Sequence, residues 1–198
     1  MTPMDRECEL DLVARIRAGD EGAFDAIHAA YNGRLFNFLA RLSRRRDIAE
    51  DLLDDTWLRF VDSAHKLRPD TALGPFLFTV ARNLFVSYCR SRLLEDAQTA
   101  DAIGLWPLGT PRPSPYESTV ASETGQRIDE ALAALPAAHR EALLLVAVEG
   151  MTPADAAAVC GITADAMRQR VCRARAAIAR RLEEGEMAVL TTLTVVTT

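Results

Sequence analysis

Apolar residues return every third or fourth position from residue 9 to 92 and again from 124 to 182. Few breakers interrupt either stretch, so the sequence predicts two blocks of amphipathic helices. The first block divides into four predicted helices, at 10–18, 22–42, 47–63 and 75–92, with loops at 19–20, 43–46 and 65–74. In the third, Ala49, Leu52, Leu53, Thr56, Trp57 and Phe60 share one face, which predicts burial of that face. In the fourth, Leu77, Val80, Ala81, Leu84, Phe85 and Tyr88 form a core stripe, while Phe76, Thr79, Asn83, Ser87 and Arg90 follow one another on another side.

The second block punctuates itself. Leu135-Pro136 opens a helix predicted to run to about Glu149, with the proline where a missing N–H costs little, and Gly150 ends it. Thr152-Pro153-Ala154-Asp155 has the form of an N-cap, a first-turn proline and an acid at the third position. A short helix to Cys160 follows, then Gly161 for a tight turn, Ile162 as an apolar anchor, and Thr163 capping a final helix with Asp165 in its first turn. This is the pattern of a helix-turn-helix. Between the blocks, residues 93–123 hold Pro107, Pro111, Pro113 and Pro115 among acids, and read as a flexible linker in which Leu105 and Trp106 either dock on another surface or stand exposed. The tail at 183–198 turns apolar and threonine-rich from Met187, which favours strand over helix and has no functional reading.

The fold class expected is therefore all-α: a helical domain at 10–92 and a helix-turn-helix domain at 124–182 joined by a linker. Composition agrees, because Lys66 is the sole lysine among 23 basic residues and alanine, leucine and arginine favour helix. The longest apolar run, Ala142 to Val148, falls well short of the roughly 20 residues needed to cross a bilayer, so no membrane insertion is expected. No apolar leader precedes the first charges, and the expected location is cytoplasmic. Cys8, Cys89, Cys160 and Cys172 form no paired motif and His28, His65 and His139 are scattered. The expectation is no metal, no disulfide framework and no cofactor, with the cysteines serving as small apolar helix residues. No nucleophile elbow, phosphate loop or zinc-protease motif is present, so an enzyme is not expected.

A net charge of −5 hides strong local segregation. The third helix carries Asp47, Glu50, Asp51, Asp54, Asp55 and Asp62 against Arg59. A solvated face explains such a stripe, and so does docking on an arginine-bearing partner that relieves the self-repulsion. From 66 to 92 the balance reverses, with Lys66, Arg68, Arg82, Arg90 and Arg92 against Asp70, which points to nucleic acid. The stripe Phe76, Thr79, Asn83, Ser87, Arg90 suits an unstacked base: an aromatic for its face, an amide for its edge, a cation for a phosphate. An ordinary amphipathic helix has the same spacing. The final helix carries Arg168, Arg170, Arg173, Arg175, Arg180 and Arg181 against Asp165, the electrostatic footprint that DNA demands. With Ala166, Met167, Val171, Ala174 and Ile178 turned inward, Arg168, Gln169, Cys172 and Arg173 point outward together toward base edges, and Arg170 and Arg175 toward phosphates or neighbouring acids.

Together the two blocks resemble the extracytoplasmic-function (ECF) sigma factors of bacterial RNA polymerase. The residues that carry the resemblance are Ala23-Phe24 with Tyr31, Asp47-Ile48-Ala49-Glu50-Asp51 through Thr56-Trp57, Phe76-Leu77 through Asn83, Leu135-Pro136 through Arg140-Glu141, and Gly161-Ile162-Thr163 through Arg175. The resemblance implies that Asp51, Asp54, Asp55 and Trp57 lie at or beside the contact with the polymerase β′ clamp helices. It implies that the 65–74 loop and the following helix, with Lys66, Arg68, Phe76, Asn83, Ser87 and Arg90, melt the −10 element and capture a flipped base. It also implies that the helix-turn-helix reads the −35 element while its first helices sit on the β flap, and that an anti-sigma factor occupies these surfaces until a signal arrives.

Three departures stand out: Asp54-Asp55 where the family usually has Gln-Glu, Phe76 where it usually has tryptophan, and an alanine-rich helix at 153–160 that predicts loose packing and marginal stability alone. Two other functions fit parts of the pattern. A stand-alone helix-turn-helix regulator predicts dimeric binding to a palindrome without polymerase. A helical adaptor or anti-sigma-type regulator predicts no DNA binding.

Overall fold

The structure is a computed structural model that describes residues 6–96 and 129–196, with side chains described for 6–93 and 129–182. All regular structure among the described residues is helical: α1 (Arg6–Arg17), α2 (Glu21–Ser43), α3 (Arg46–Ala64), α4 (Leu73–Asp96), a helical turn at 129–133, α5 (Ala137–Leu143), α6 (Pro153–Cys160) and α7 (Ala164–Val196). The predicted helices are all present. The linker residues 97–128, Leu105 and Trp106 included, lie outside the described residues.

In the N-terminal bundle α2 is the central element. Its Ile27, Tyr31, Leu35, Phe38 and Leu39 are buried at helical spacing between α1, α3 and α4. Asp20 starts α2 by accepting from the backbone N–H of Gly22 at 2.8 Å, and Arg44 ends it in the left-handed region at φ 59°, donating its N–H to Ala40 O at 2.8 Å. Phe38 and Phe78 meet edge to face, 5.2 Å between ring centres, and Phe78, left out of the expected core stripe, is buried three residues before Ala81 and seven before Phe85, along the edge of that stripe.

The start of α4 has an unusual support. Ala72 precedes it and has no side chain able to cap, and the exposed N–H groups are taken instead by Glu9 of α1: Leu73 N–H donates to Glu9 Oε1 at 2.8 Å and Gly74 N–H at 3.4 Å. Arg6, one turn before Glu9, donates to Glu9 Oε2 at 2.7 Å and to the carbonyl oxygen of Asp70 at 2.8 Å.

In the C-terminal block Thr152 caps α6 by accepting from Asp155 N–H at 3.1 Å, and Gly161 makes the turn at φ 65°. Thr163 caps α7, accepting from Ala166 N–H at 3.2 Å. The helix expected to run evenly to Glu149 instead widens after Leu143 into a π-helical turn, Leu144–Val148, closed by Glu149 N–H donating to Leu144 O at 2.9 Å. The tail differs more. Its backbone is helical to Val196, not strand, because extending an existing helix needs no new nucleus and nothing before Val196 forces an end.

The two blocks pack on each other. Alanine-rich α6 is not loosely held: Ala156, Ala157 and Val159 are buried, and small side chains let α6 lie against both α7 and α4. Three arginines of the N-terminal bundle stitch the contact. Arg82 Nε on α4 donates to Glu141 at 2.7 Å, Arg34 Nε on α2 donates to Glu149 at 2.9 Å, and Arg41 on α2 reaches Asp129 at 3.1 Å.

Candidate nucleic-acid interface

Three surfaces carry the candidate residues. On α4, Asn83, Ser87 and Arg90 are exposed and follow one another at four and three residues, so their side chains form one row. Phe76 and Thr79 continue that row half-buried. Phe76 leans on Phe60, 6.4 Å between ring centres, and Thr79 Oγ1 donates to Pro75 O at 2.7 Å. Lys66 and Arg68 are exposed in the loop before α4, and Arg68 is held in a forked pair by Asp70, both contacts 3.1 Å. Leu67 between them is buried and anchors the loop.

The second surface is the outer side of α3. Asp51, Asp54 and Asp55 are exposed there. Trp57 is turned inward, 7% exposed, with its indole N–H donating to Asn32 Oδ1 at 2.9 Å, and it packs among Phe24, His28 and Phe60. It therefore lies beside the acidic face and not on it, because tryptophan on the core side of an amphipathic helix gains more from burial than from water. Sequence reasoning missed Leu58 and Val61, which stand 65% and 53% exposed among the acids. The signal was available: both fall off the stripe that holds Leu53, Trp57 and Phe60.

The third surface is the outer face of α7, where Arg168, Gln169, Cys172, Arg173 and Arg175 are exposed. Arg168 pairs with Asp165 one turn earlier. Arg170 is half-buried, so it is held closer to the protein than its exposed neighbours. Cys172 is exposed on the outward face where its spacing put it, and Cys8 is exposed as well; Cys160 is buried and Cys89 half-buried. Burial and the neighbouring Glu141 push the Cys160 thiol up to about 12, and burial pushes Cys89 to about 11.

The Leu135-Pro136 to Arg140-Glu141 segment has a structural explanation. Arg140, 7% exposed, folds back to donate to the carbonyl oxygens of Leu132, Ala133 and Leu135 at 2.8–3.0 Å, and reaches across to Leu42 O at 3.2 Å. It closes the end of the 129–133 turn and the C-terminal end of α2 together. Burial lowers its pKa to about 10, which leaves it charged at neutral pH. No group of His, Cys, Asp and Glu among the described residues is arranged to hold a metal, and no described helix is long and apolar enough to cross a membrane.

The family model for Sigma-70 region 2 matches residues 27–93, and that for Sigma-70 region 4 matches residues 125–178. The ECF RNA polymerase sigma factor EcfG of Rhodopseudomonas palustris is 36% identical over 152 residues, covering 73% of this chain and 77% of that protein. The RNA polymerase sigma factor CarQ of Myxococcus xanthus is 32% identical over 88% of this chain and 98% of its own length. Among solved structures, the sigma factor RpoE of Bartonella quintana, crystallised with the anti-sigma factor NepR, superposes with a TM-score of 0.66 at 29% identity, covering 81% of this chain and 96% of that one. With both sigma regions present in order and relatives aligned along most of their length, the chain belongs to the ECF sigma factors and is a transcription initiation factor of RNA polymerase.

Proposed function

We propose that the three surfaces divide the work of initiation. The outer side of α3, with Asp51, Asp54 and Asp55, docks on core polymerase at the β′ clamp helices, and Trp57 holds that helix in place from beneath. Lys66, Arg68, Phe76, Asn83, Ser87 and Arg90 engage the −10 element, with Asn83 reading a flipped base and the cations holding phosphates; flipping costs a few kcal/mol that this contact must offset. On α7, Arg168, Gln169, Cys172 and Arg173 face base edges of the −35 element, where each bidentate pair contributes roughly 1–3 kcal/mol of discrimination. Arg175 and the half-buried Arg170 face phosphates. The observation that carries the reading is the exposed row Asn83, Ser87, Arg90 on a helix otherwise built into the core, an arrangement that a simple repressor does not need.

In this reading the chain does no catalysis of its own and works in the cytoplasm beside the chromosome. An anti-sigma factor is a further partner; the relative from Bartonella quintana, solved with NepR, supports this. The test is promoter-dependent transcription by bacterial core polymerase with and without the purified protein, comparing wild type with Asn83→Ala and Arg168→Ala. Initiation that depends on the protein and falls at least tenfold in each variant (about 1.4 kcal/mol) is the expected result. Polymerase-independent binding of the protein to palindromic duplex DNA overturns it in favour of a stand-alone regulator.

A further inference from the structure

We propose that Arg6 and Glu9, on a helix that precedes the residues matched to sigma region 2, are positioning residues for the −10 site. This rests on the proposed role of α4 and its preceding loop. The −10 residues sit on two pieces of chain, the 65–74 loop with Lys66 and Arg68, and α4 with Phe76 and Asn83. The junction between them is Thr71-Ala72-Leu73-Gly74, and nothing local can cap the helix that starts there, since Ala72 lacks an acceptor.

Glu9 supplies the missing acceptor from another helix. Its Oε1 takes the N–H of Leu73 and of Gly74, and the Tyr31 hydroxyl donates to the same oxygen at 3.5 Å. The Glu9 side chain is 12% exposed and its carboxylate faces the positive end of α4, so charge and hydrogen bonding act together. Arg6 holds the other side of the junction: it pairs with Glu9 Oε2 at 2.7 Å, donates to Asp70 O at 2.8 Å and approaches Thr71 O at 3.5 Å. Two side chains one turn apart on α1 thus fix the loop end and the helix start to each other. The spacing between the loop cations and Asn83 is set by α1, and a site that must hold a base in one orientation depends on that spacing being rigid.

The test uses holoenzyme assembled from bacterial core polymerase with wild-type protein, Glu9→Gln, Glu9→Ala, Arg6→Ala or Asn83→Ala. Each is offered a single-stranded DNA library with a randomised hexamer, and bound sequences are counted; core affinity is measured in parallel by competition. The base-preference profile is the decisive readout, because a variant that only folds less well binds less DNA with an unchanged profile. Glu9→Ala is expected to flatten the profile by about fivefold, the size of a lost cap. Glu9→Gln, which keeps an acceptor oxygen, is expected to restore most of it. Arg6→Ala, which leaves the cap in place, is expected to flatten it less. Core affinity stays at the wild-type value in all of them.

If Asn83→Ala flattens the profile while Glu9→Ala and Arg6→Ala keep the wild-type one, the −10 reading stands and the positioning role is overturned. If Asn83→Ala leaves the profile unchanged, the −10 reading itself fails and the positioning role falls with it.

Discussion

The Glu141 carboxylate is 1% exposed, and its partner Arg82 approaches from a different domain. Removing one member of a buried pair leaves the other as an uncompensated charge, so Glu141→Ala is expected to cost about 3–5 kcal/mol of unfolding free energy. A denaturant titration measures that loss, and the double variant Glu141→Leu with Arg82→Met is expected to recover most of it. Trp57→Phe keeps the ring packing and gives up the bond to Asn32, which predicts a loss of about 1 kcal/mol by the same titration. The thiols separate by environment. Cys8 and Cys172 are expected to react quickly with an aromatic disulfide reagent in the native state, while Cys160, buried and held protonated up to about 12, reacts only on unfolding. The exposure of Cys172 was legible from its place on the outward face of α7. The burial of Phe78 was equally legible and was passed over, since the residue stands three before Ala81 and seven before Phe85 on the same helix.

At the scale of elements, amphipathic spacing placed the helices because each buries one stripe against a neighbour, and the Thr152 and Thr163 caps and the Gly161 turn were readable because their chemistry is local. Thr152→Ala is accordingly expected to lower stability by about 1 kcal/mol in thermal melts. Two features had no local signal. The N-terminal end of α4 is capped from α1, sixty-four residues away in the chain, so Ala72 gave no hint of where the helix begins and the expected start at 75 fell two residues late. The π-turn Leu144–Val148 lies in an apolar run that suits a regular helix equally well; the wider turn accompanies the placing of Glu149 under Arg34. The inward turn of Trp57 was half legible. Its stripe was recognised as core, while the resemblance left open whether it stands at the contact or beside it.

For the whole molecule, the two domains meet through arginines, and that contact has a pH signature. Burial holds the Glu149 carboxyl above its ordinary range despite the Arg34 guanidinium beside it and Arg41 nearby. Its proton is therefore bound more tightly in the packed state than in the unfolded one, so this group weakens packing when ionised. The cost is relieved as pH falls through the raised value and is gone below the ordinary carboxylate range near 4.3. Asp20 and Asp47, held low by Arg15 and Arg45, act in the opposite direction, so the expected result is read as a difference. The stability gap between wild type and Glu149→Gln should narrow or change in favour of wild type on acidification toward pH 4, measured by urea midpoints. The same stitching bears on modularity. Arg34, Arg82 and the Leu42 carbonyl on one side answer Glu149, Glu141 and Arg140 on the other, so each half carries part of the other's buried electrostatics. A hybrid that joins residues 6–96 to the C-terminal half of a relative keeps this packing only if that half also brings matching acids and an arginine to those three points. What such a swap puts at risk is the stability of the packed pair, since each buried acid or arginine left without its partner is an uncompensated group.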